Sequence, residues 1–161
     1  MVQKLLKLHH SAYRCKDSEE TREFYENFLG LKFKKAFEIT KTKSGRISKV
    51  LHTFFELKDG SCIAFFEEPS EKFKFIKQRD FDLHIAFQVT KSNLKKMYNK
   101  GKHNKIDTRG IIDHGFIESI YFRDPNGYVI ELTCPVKGYK EQNYSKAKNI
   151  LDNWQINKKK N

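Results

Sequence analysis

Three residues of this chain have the side chains that hold a divalent metal: His10, His84 and Glu131. Glu131 interrupts the apolar run Tyr128-Val129-Ile130-Glu131-Leu132. Side chains alternate along a strand, so Glu131 shares a face with Val129 and Thr133. A carboxylate facing a core is costly unless it is paired or binds a metal. The two histidines fall at matching places in a repeat. Leu8-His9-His10-Ser11-Ala12-Tyr13-Arg14 matches Asp82-Leu83-His84-Ile85-Ala86-Phe87-Gln88, with His, Ala and a polar residue on one face of each. The stretch Phe55 to Ala64 matches Tyr121 to Glu131, with two extra residues allowed in the second turn, and puts Ala64 in the place of Glu131. Two imidazoles and one carboxylate on three strands make a facial triad. Such a triad leaves positions open on a metal and is typical of non-haem Fe(II) oxygenases.

The elements that must position these residues follow from periodicity. Leu5 to Cys15 alternates as a strand, with His10, Ala12 and Arg14 on one face and His9 on the other. Asp17, three residues before Glu20, has the spacing of a helix cap; Phe24, Tyr25, Phe28, Leu29 and Leu31 form the buried stripe, and Gly30 the stop. Lys32 to Phe37 is a strand, Glu38 to Lys49 a mobile polar loop that could close over a site, and Val50–Leu57 and Ser61–Phe66 a hairpin around Lys58-Asp59-Gly60. In the second half, Phe81 to Val89 is a strand. Ser92 caps a helix that Gly101 ends, and short segments follow around Ile106 and Ile111. A closing hairpin turns at Asp124-Pro125-Asn126-Gly127, where Pro presets φ and Asn and Gly tolerate positive φ.

The expectation is an α+β fold: two βαβββ modules forming an open, barrel-like mixed sheet with flanking helices. Module one covers about 5–69, a connector 70–80 and module two 81–135, within one domain of 1–161. A last amphipathic helix, 143–156, presents Ala147, Ile150, Leu151 and Trp154 to an open edge or a dimer partner. Arg14 and Gln88 face the cavity by parity. They are candidate substrate contacts, with pairing to internal carbonyls or carboxylates as the alternative. His103 reads as an exposed loop residue.

Composition narrows the function. The chain has 161 residues, enough for one domain with a core. No apolar run approaches 18 residues, so no membrane helix is expected, and the N-terminal stretch Met1 to Lys7 is too short and interrupted for a signal peptide. Cys15, Cys62 and Cys134 are widely spaced and odd in number, which reads as reduced thiols in a cytoplasmic protein. The formal net charge of +12 comes mostly from lysines spread along the chain, with Lys158-Lys159-Lys160 as a frayed tail. No nucleic-acid-binding motif accompanies it, so nucleic acid is not an expected partner.

The modules resemble the vicinal oxygen chelate superfamily, which includes glyoxalase I, extradiol dioxygenases, fosfomycin-resistance enzymes and bleomycin-binding proteins. The likeness runs from about Leu5 to Pro135. The stretch Ile112-x-His114, five residues, Ile120-Tyr121-x-x-Asp124-Pro125-x-Gly127, three residues, Glu131 matches the signature of type I extradiol dioxygenases. The resemblance implies that Glu131 is a metal ligand and that His114 and Tyr121 lie beside the substrate's oxygens. It implies a metal-dependent dioxygenase cleaving a catechol-like ring, with Fe(II) as metal and Mn, Ni or Zn as alternatives. The partners would be a small vicinally oxygenated molecule and dioxygen. Two departures stand out. This chain has two modules where large extradiol enzymes have four, and the strand Cys62 to Glu67 lacks their additional acid-base histidine, His52 falling on a different strand. A glyoxalase would need a fourth ligand near Ala64, supplied by Glu56 or Glu67. The alternatives are a glyoxalase-like lyase or isomerase, a thiol transferase, or a binding protein without enzymatic activity. The modules could pair within the chain or exchange across a homodimer.

Overall fold

A computed structural model of the protein describes residues 4–77 and 79–158. The first strand, β1, is His10–Arg14, shorter than its alternation suggests; residues 4–9 form no regular element. The helix α1, Ser18–Arg22, starts at Asp17, whose carboxylate accepts the Glu20 amide at 2.7 Å. It continues as a π-helical turn, Glu23–Phe28, in which Leu29 N donates to Phe24 O. The wider turn lets Phe24, Tyr25 and Phe28 all be buried.

Strands β2, Lys32–Lys41, and β3, Ile47–Glu56, form one long antiparallel hairpin. This corrects the mobile loop expected over Glu38–Lys49. Thr42 and Arg46 close a tight turn, Thr42 N donating to Arg46 O, so the lysine-rich segment carries a strand ladder, with a register shift between Ile39 and Lys41 and its lysines exposed. Strand β4, Cys62–Glu67, lies between β3 and β1 and runs parallel to β1.

Module two repeats the plan. Strand β5 is Ile85–Gln88, and helix α2, Lys91–His103, begins at Thr90 rather than Ser92, the Thr90 hydroxyl accepting Asn93 N. Gly101 does not end this helix. It is buried within it, because a Cβ there would lie 2.4 Å from Thr108 Oγ1 and 2.6 Å from Phe122 Cε1. The segment around Ile111 is strand β6, Thr108–Asp113, whereas Ile106 precedes it outside any regular element. Strands β7, Ile117–Arg123, and β8, Val129–Pro135, make the closing hairpin. Gly127 there has φ +99°, and the Phe75 ring of the connector packs 2.8 Å from where a Cβ would stand.

The result is two four-stranded mixed sheets, β1-β4-β3-β2 and β5-β8-β7-β6. One core joins them: Tyr25, Phe28, Phe55 and Phe65 pack with Leu94, Ile120, Phe122 and Ile130. Polar contacts cross the same boundary, and two of them involve tyrosines. The Tyr25 hydroxyl donates to Asp124 at 3.0 Å, and the Tyr128 hydroxyl donates to Arg14 O at 3.0 Å. Helix α3, Tyr144–Asn157, buries none of its residues, so in one chain it covers no sheet edge; Trp154 is 66% exposed. No helix of the described residues is long and apolar enough to cross a membrane. The basic tail at 159–160 and residues 1–3 lie outside the described residues.

Candidate metal and substrate site

Register makes the repeat quantitative. Ala12 pairs with Ala64 in module one, and Ala86 pairs with Glu131 in module two. Ala64 therefore holds the position of Glu131. Phe54 faces Ala64 as Tyr121 faces Glu131. Both spans are ten residues, so the second turn holds no extra residues, and Phe54 rather than Phe55 is the counterpart of Tyr121.

The polar groups that could do chemistry gather in module two. Glu131 is 5% exposed. Its Oε2 lies 3.3 Å from His84 Nε2, and its Oε1 accepts the Tyr121 hydroxyl at 3.2 Å. His114 Nε2 lies 2.8 Å from the same hydroxyl. The other ring nitrogen of His84, Nδ1, is 2.8 Å from Asp80 O. A carbonyl oxygen only accepts, so Nδ1 carries a proton; in the neutral ring Nε2 turns a lone pair toward Glu131, and in the imidazolium it donates to it. In the neutral ring the two groups are both acceptors, and a cation between them satisfies both. An imidazole oriented through Nδ1–H onto a carbonyl is also the usual support of a metal-ligating histidine. This pair therefore fits a divalent metal. Burial first, then the Glu131 carboxylate, push the Tyr121 phenol above its ordinary pKa, so it stays neutral and keeps its proton.

These side chains line a pocket of about 600 Å³. Its apolar wall is Phe81, Ile112, Phe116 and Ile117; Arg79, Asp80 and Arg109 complete the rim. Sequence reasoning missed Asp80 and Arg109. Asp80 was placed in a connector, and Arg109 acts through its cross-strand partner Tyr121, a pairing that one strand's pattern does not reveal.

The other expected residues stand elsewhere. His10 is exposed on module one. Its Nδ1 is 2.7 Å from His9 Nδ1, and its ring packs near His52 and Phe54. Among the described residues, no three His, Cys, Asp or Glu side chains form a group that could hold a metal, so His10 is not brought to His84 and Glu131 within one chain. The reason lies in the topology: β1 and β5 are edge strands of separate sheets. Arg14 turns to Glu68 at 3.4 Å and to Glu71 O at 3.3 Å and lines a different cavity, between the modules. Gln88 borders another, near Leu29 and Met97. Neither lines the pocket of Glu131. Glu56 pairs with Lys34, and Glu67 accepts Ser18 N at 2.7 Å, so neither supplies a ligand beside Ala64. His103 lies in the last turn of α2, not in a loop. All three cysteines are buried and free, and burial pushes the Cys15 thiol up to about 11, which leaves it inert as a nucleophile.

Comparison with known proteins places this architecture. The family model for the Glyoxalase/Bleomycin resistance protein/Dioxygenase superfamily matches residues 7–132. A glyoxylase/bleomycin resistance protein/dioxygenase domain from Frankia sp. EAN1pec superposes with a TM-score of 0.65 at 17% identity, covering 84% of this chain and 96% of that one. The fosfomycin resistance protein FosX of Listeria monocytogenes, solved with Mn(II) and a sulfate ion, gives 0.61 at 22% identity, covering 83% and 96%. A glyoxalase/dioxygenase from Nostoc punctiforme gives 0.59 at 24% identity, covering 85% and 100%. No curated protein matches the chain.

Proposed function

The chain belongs to the Glyoxalase/Bleomycin resistance protein/Dioxygenase superfamily, and within it we propose a metal-dependent dioxygenase that cleaves a small, vicinally dihydroxylated aromatic. The observation that carries this reading is the contact chain His84–Glu131–Tyr121–His114 at the floor of an apolar pocket. His84 and Glu131 hold the metal, Fe(II) in this reading, and His10 is the third ligand. A second copy of the chain brings it, since the shared core fixes the two modules and keeps His10 away from the pocket in one copy. A metal held there would supply Lewis acidity, lowering the pKa of a substrate hydroxyl. Three reduced, buried thiols suit a cytoplasmic setting.

The protein's own groups do the rest. The apolar wall receives a flat ring and excludes water. His114 Nε2 accepts the proton of a substrate hydroxyl. The Tyr121 hydroxyl, neutral because of its burial and of Glu131, donates a hydrogen bond to the oxygen left negative. Glu131 stays a ligand throughout; its second oxygen, which accepts the single Tyr121 proton in the free protein, gives up that hydrogen bond to the substrate oxygen in this step. Both atoms of dioxygen enter the product, so no external reductant is needed.

Anaerobically purified protein is expected to hold about one Fe per site. It should consume dioxygen with a catechol panel and give a yellow ring-cleavage product; Glu131→Ala loses metal and uptake together. Zn, Ni or Mn at the same residues, with turnover of a thiol adduct in the absence of dioxygen, would replace the oxygenase with a glyoxalase-like or transferase reaction. Wild-type protein that takes up no metal at all would leave a binding protein.

A further inference from the structure

Arg109 is the unclaimed group of the pocket. It stands on β6 directly across from Tyr121, and its guanidinium carbon lies 5.6 Å from the Tyr121 ring centroid. Its Nη2 donates to Asp80 Oδ2 at 2.5 Å. The other Asp80 oxygen already takes Arg123 Nη2 at 3.1 Å, and Arg123 also donates to Gly127 O. One carboxylate thus answers two guanidiniums. Of the other charges at the rim, Arg79 pairs with Asp82, and Glu131 is left to the cation it would hold with His84. Asp80 can balance one of its two guanidiniums, and of the two it is Arg109 that lines the pocket, its side chain 49% exposed.

We propose that Arg109 recognises a carboxylate on the substrate, making this protein selective for an acidic dihydroxylated aromatic over the neutral catechol. The inference rests on the reading of the pocket as a substrate site and names its substrate class. A guanidinium presents paired donors that match a carboxylate, and such charge-assisted pairs are among the stronger polar contacts. Asp80 pre-orients Arg109 and, through its backbone carbonyl, also orients His84. The carboxylate site and the metal ligand are thereby tied to one residue. When the substrate acid docks on Arg109, Asp80 keeps Arg123 as its partner, so no buried charge is stranded.

The test uses metal-free protein and isothermal calorimetry with 2,3- and 3,4-dihydroxybenzoate against catechol. Wild type is expected to bind one of the acids about 10- to 100-fold more tightly than catechol. In Arg109→Gln that ratio should fall to about one, and Arg109→Lys should keep part of it. Asp80→Asn, which frees Arg109 from its carboxylate, should raise the ratio and serves as the second variant if Arg109→Gln does not fold. No preference for an acid in wild type, or a preference unchanged in Arg109→Gln and Asp80→Asn, overturns the inference. Because the protein carries no metal here, failure of the oxygenase reading shows separately: an Arg109-dependent preference with no dioxygen uptake in the Fe-loaded protein removes only that reaction. Dioxygen uptake with equal KM for catechol and the acids removes only the role of Arg109.

Discussion

At the scale of single residues, one hydroxyl decides what the pocket can do. Tyr121 touches both Glu131 and His114, and it is held neutral by burial and by the neighbouring carboxylate. Tyr121→Phe keeps the ring and its packing but removes the proton donor. It is expected to lower kcat by about 100-fold with little change in KM, measured as initial dioxygen uptake. Its raised pKa keeps Tyr121 a proton donor at neutral pH. Glu131 was legible from the sequence because a carboxylate inside an apolar strand breaks a pattern. His84 was legible because it repeats His10. Arg14 and Gln88 satisfied the same parity argument, yet they line other cavities. Parity gives the face of a strand, whereas the curvature of the sheet decides which stretch of that face a pocket takes in.

At the scale of elements, two contacts that sequence could not supply hold the site's frame. Gly101 looks like a helix stop, but α2 passes through it because β6 and β7 come too close for a side chain. Gly101→Ala is expected to destabilise the fold by about 1–3 kcal/mol through overpacking against Thr108 and Phe122, read by urea denaturation. The substitution has a good helix former in a helix interior, so propensity alone predicts the opposite sign. The second contact is Tyr25 with Asp124, in which a phenol from module one anchors the turn that leads into Glu131's strand. Tyr25→Phe leaves a buried carboxylate oxygen short of a donor and should cost about 1–3 kcal/mol. Burial first, then Asp124, raise the Tyr25 pKa well above its ordinary value. A raised folded pKa stabilises fully below the unfolded value, near 10, and loses that contribution as pH climbs toward the folded one. Wild-type stability should therefore fall above about pH 10, and Tyr25→Phe should fall less steeply. The sequence placed Asp124 in a turn from Pro, Asn and Gly. It could not show that a helix about a hundred positions earlier would cap it, nor that the polar lysines of β2 and β3 would pair into a hairpin.

At the scale of the whole molecule, the repeat has produced two unequal surfaces. Module two carries the acid, the phenol and a histidine around a pocket. Module one carries His10 on an exposed face beside His9, His52, Phe37 and Phe54, with Ala64 where a carboxylate would complete a second site. In the proposed function, one chain then offers a ligand without a pocket and a pocket short of a ligand. A two-fold dimer that places module one of each copy against module two of the other resolves both, because a closed two-fold pair presents each surface to its complement. Mixed dimers test this directly. His10→Ala and Glu131→Ala should each be inactive alone. In a mixed dimer one site loses both residues and the other keeps both. Random exchange at equal amounts makes about half the dimers mixed, each with one working site of two, so about a quarter of wild-type activity should return. Sedimentation should show the dimer with and without metal. If His10 instead reached Glu131 within its own chain, every site in the mixture would lack one ligand, no activity would return, and the pairing of modules across copies would be excluded.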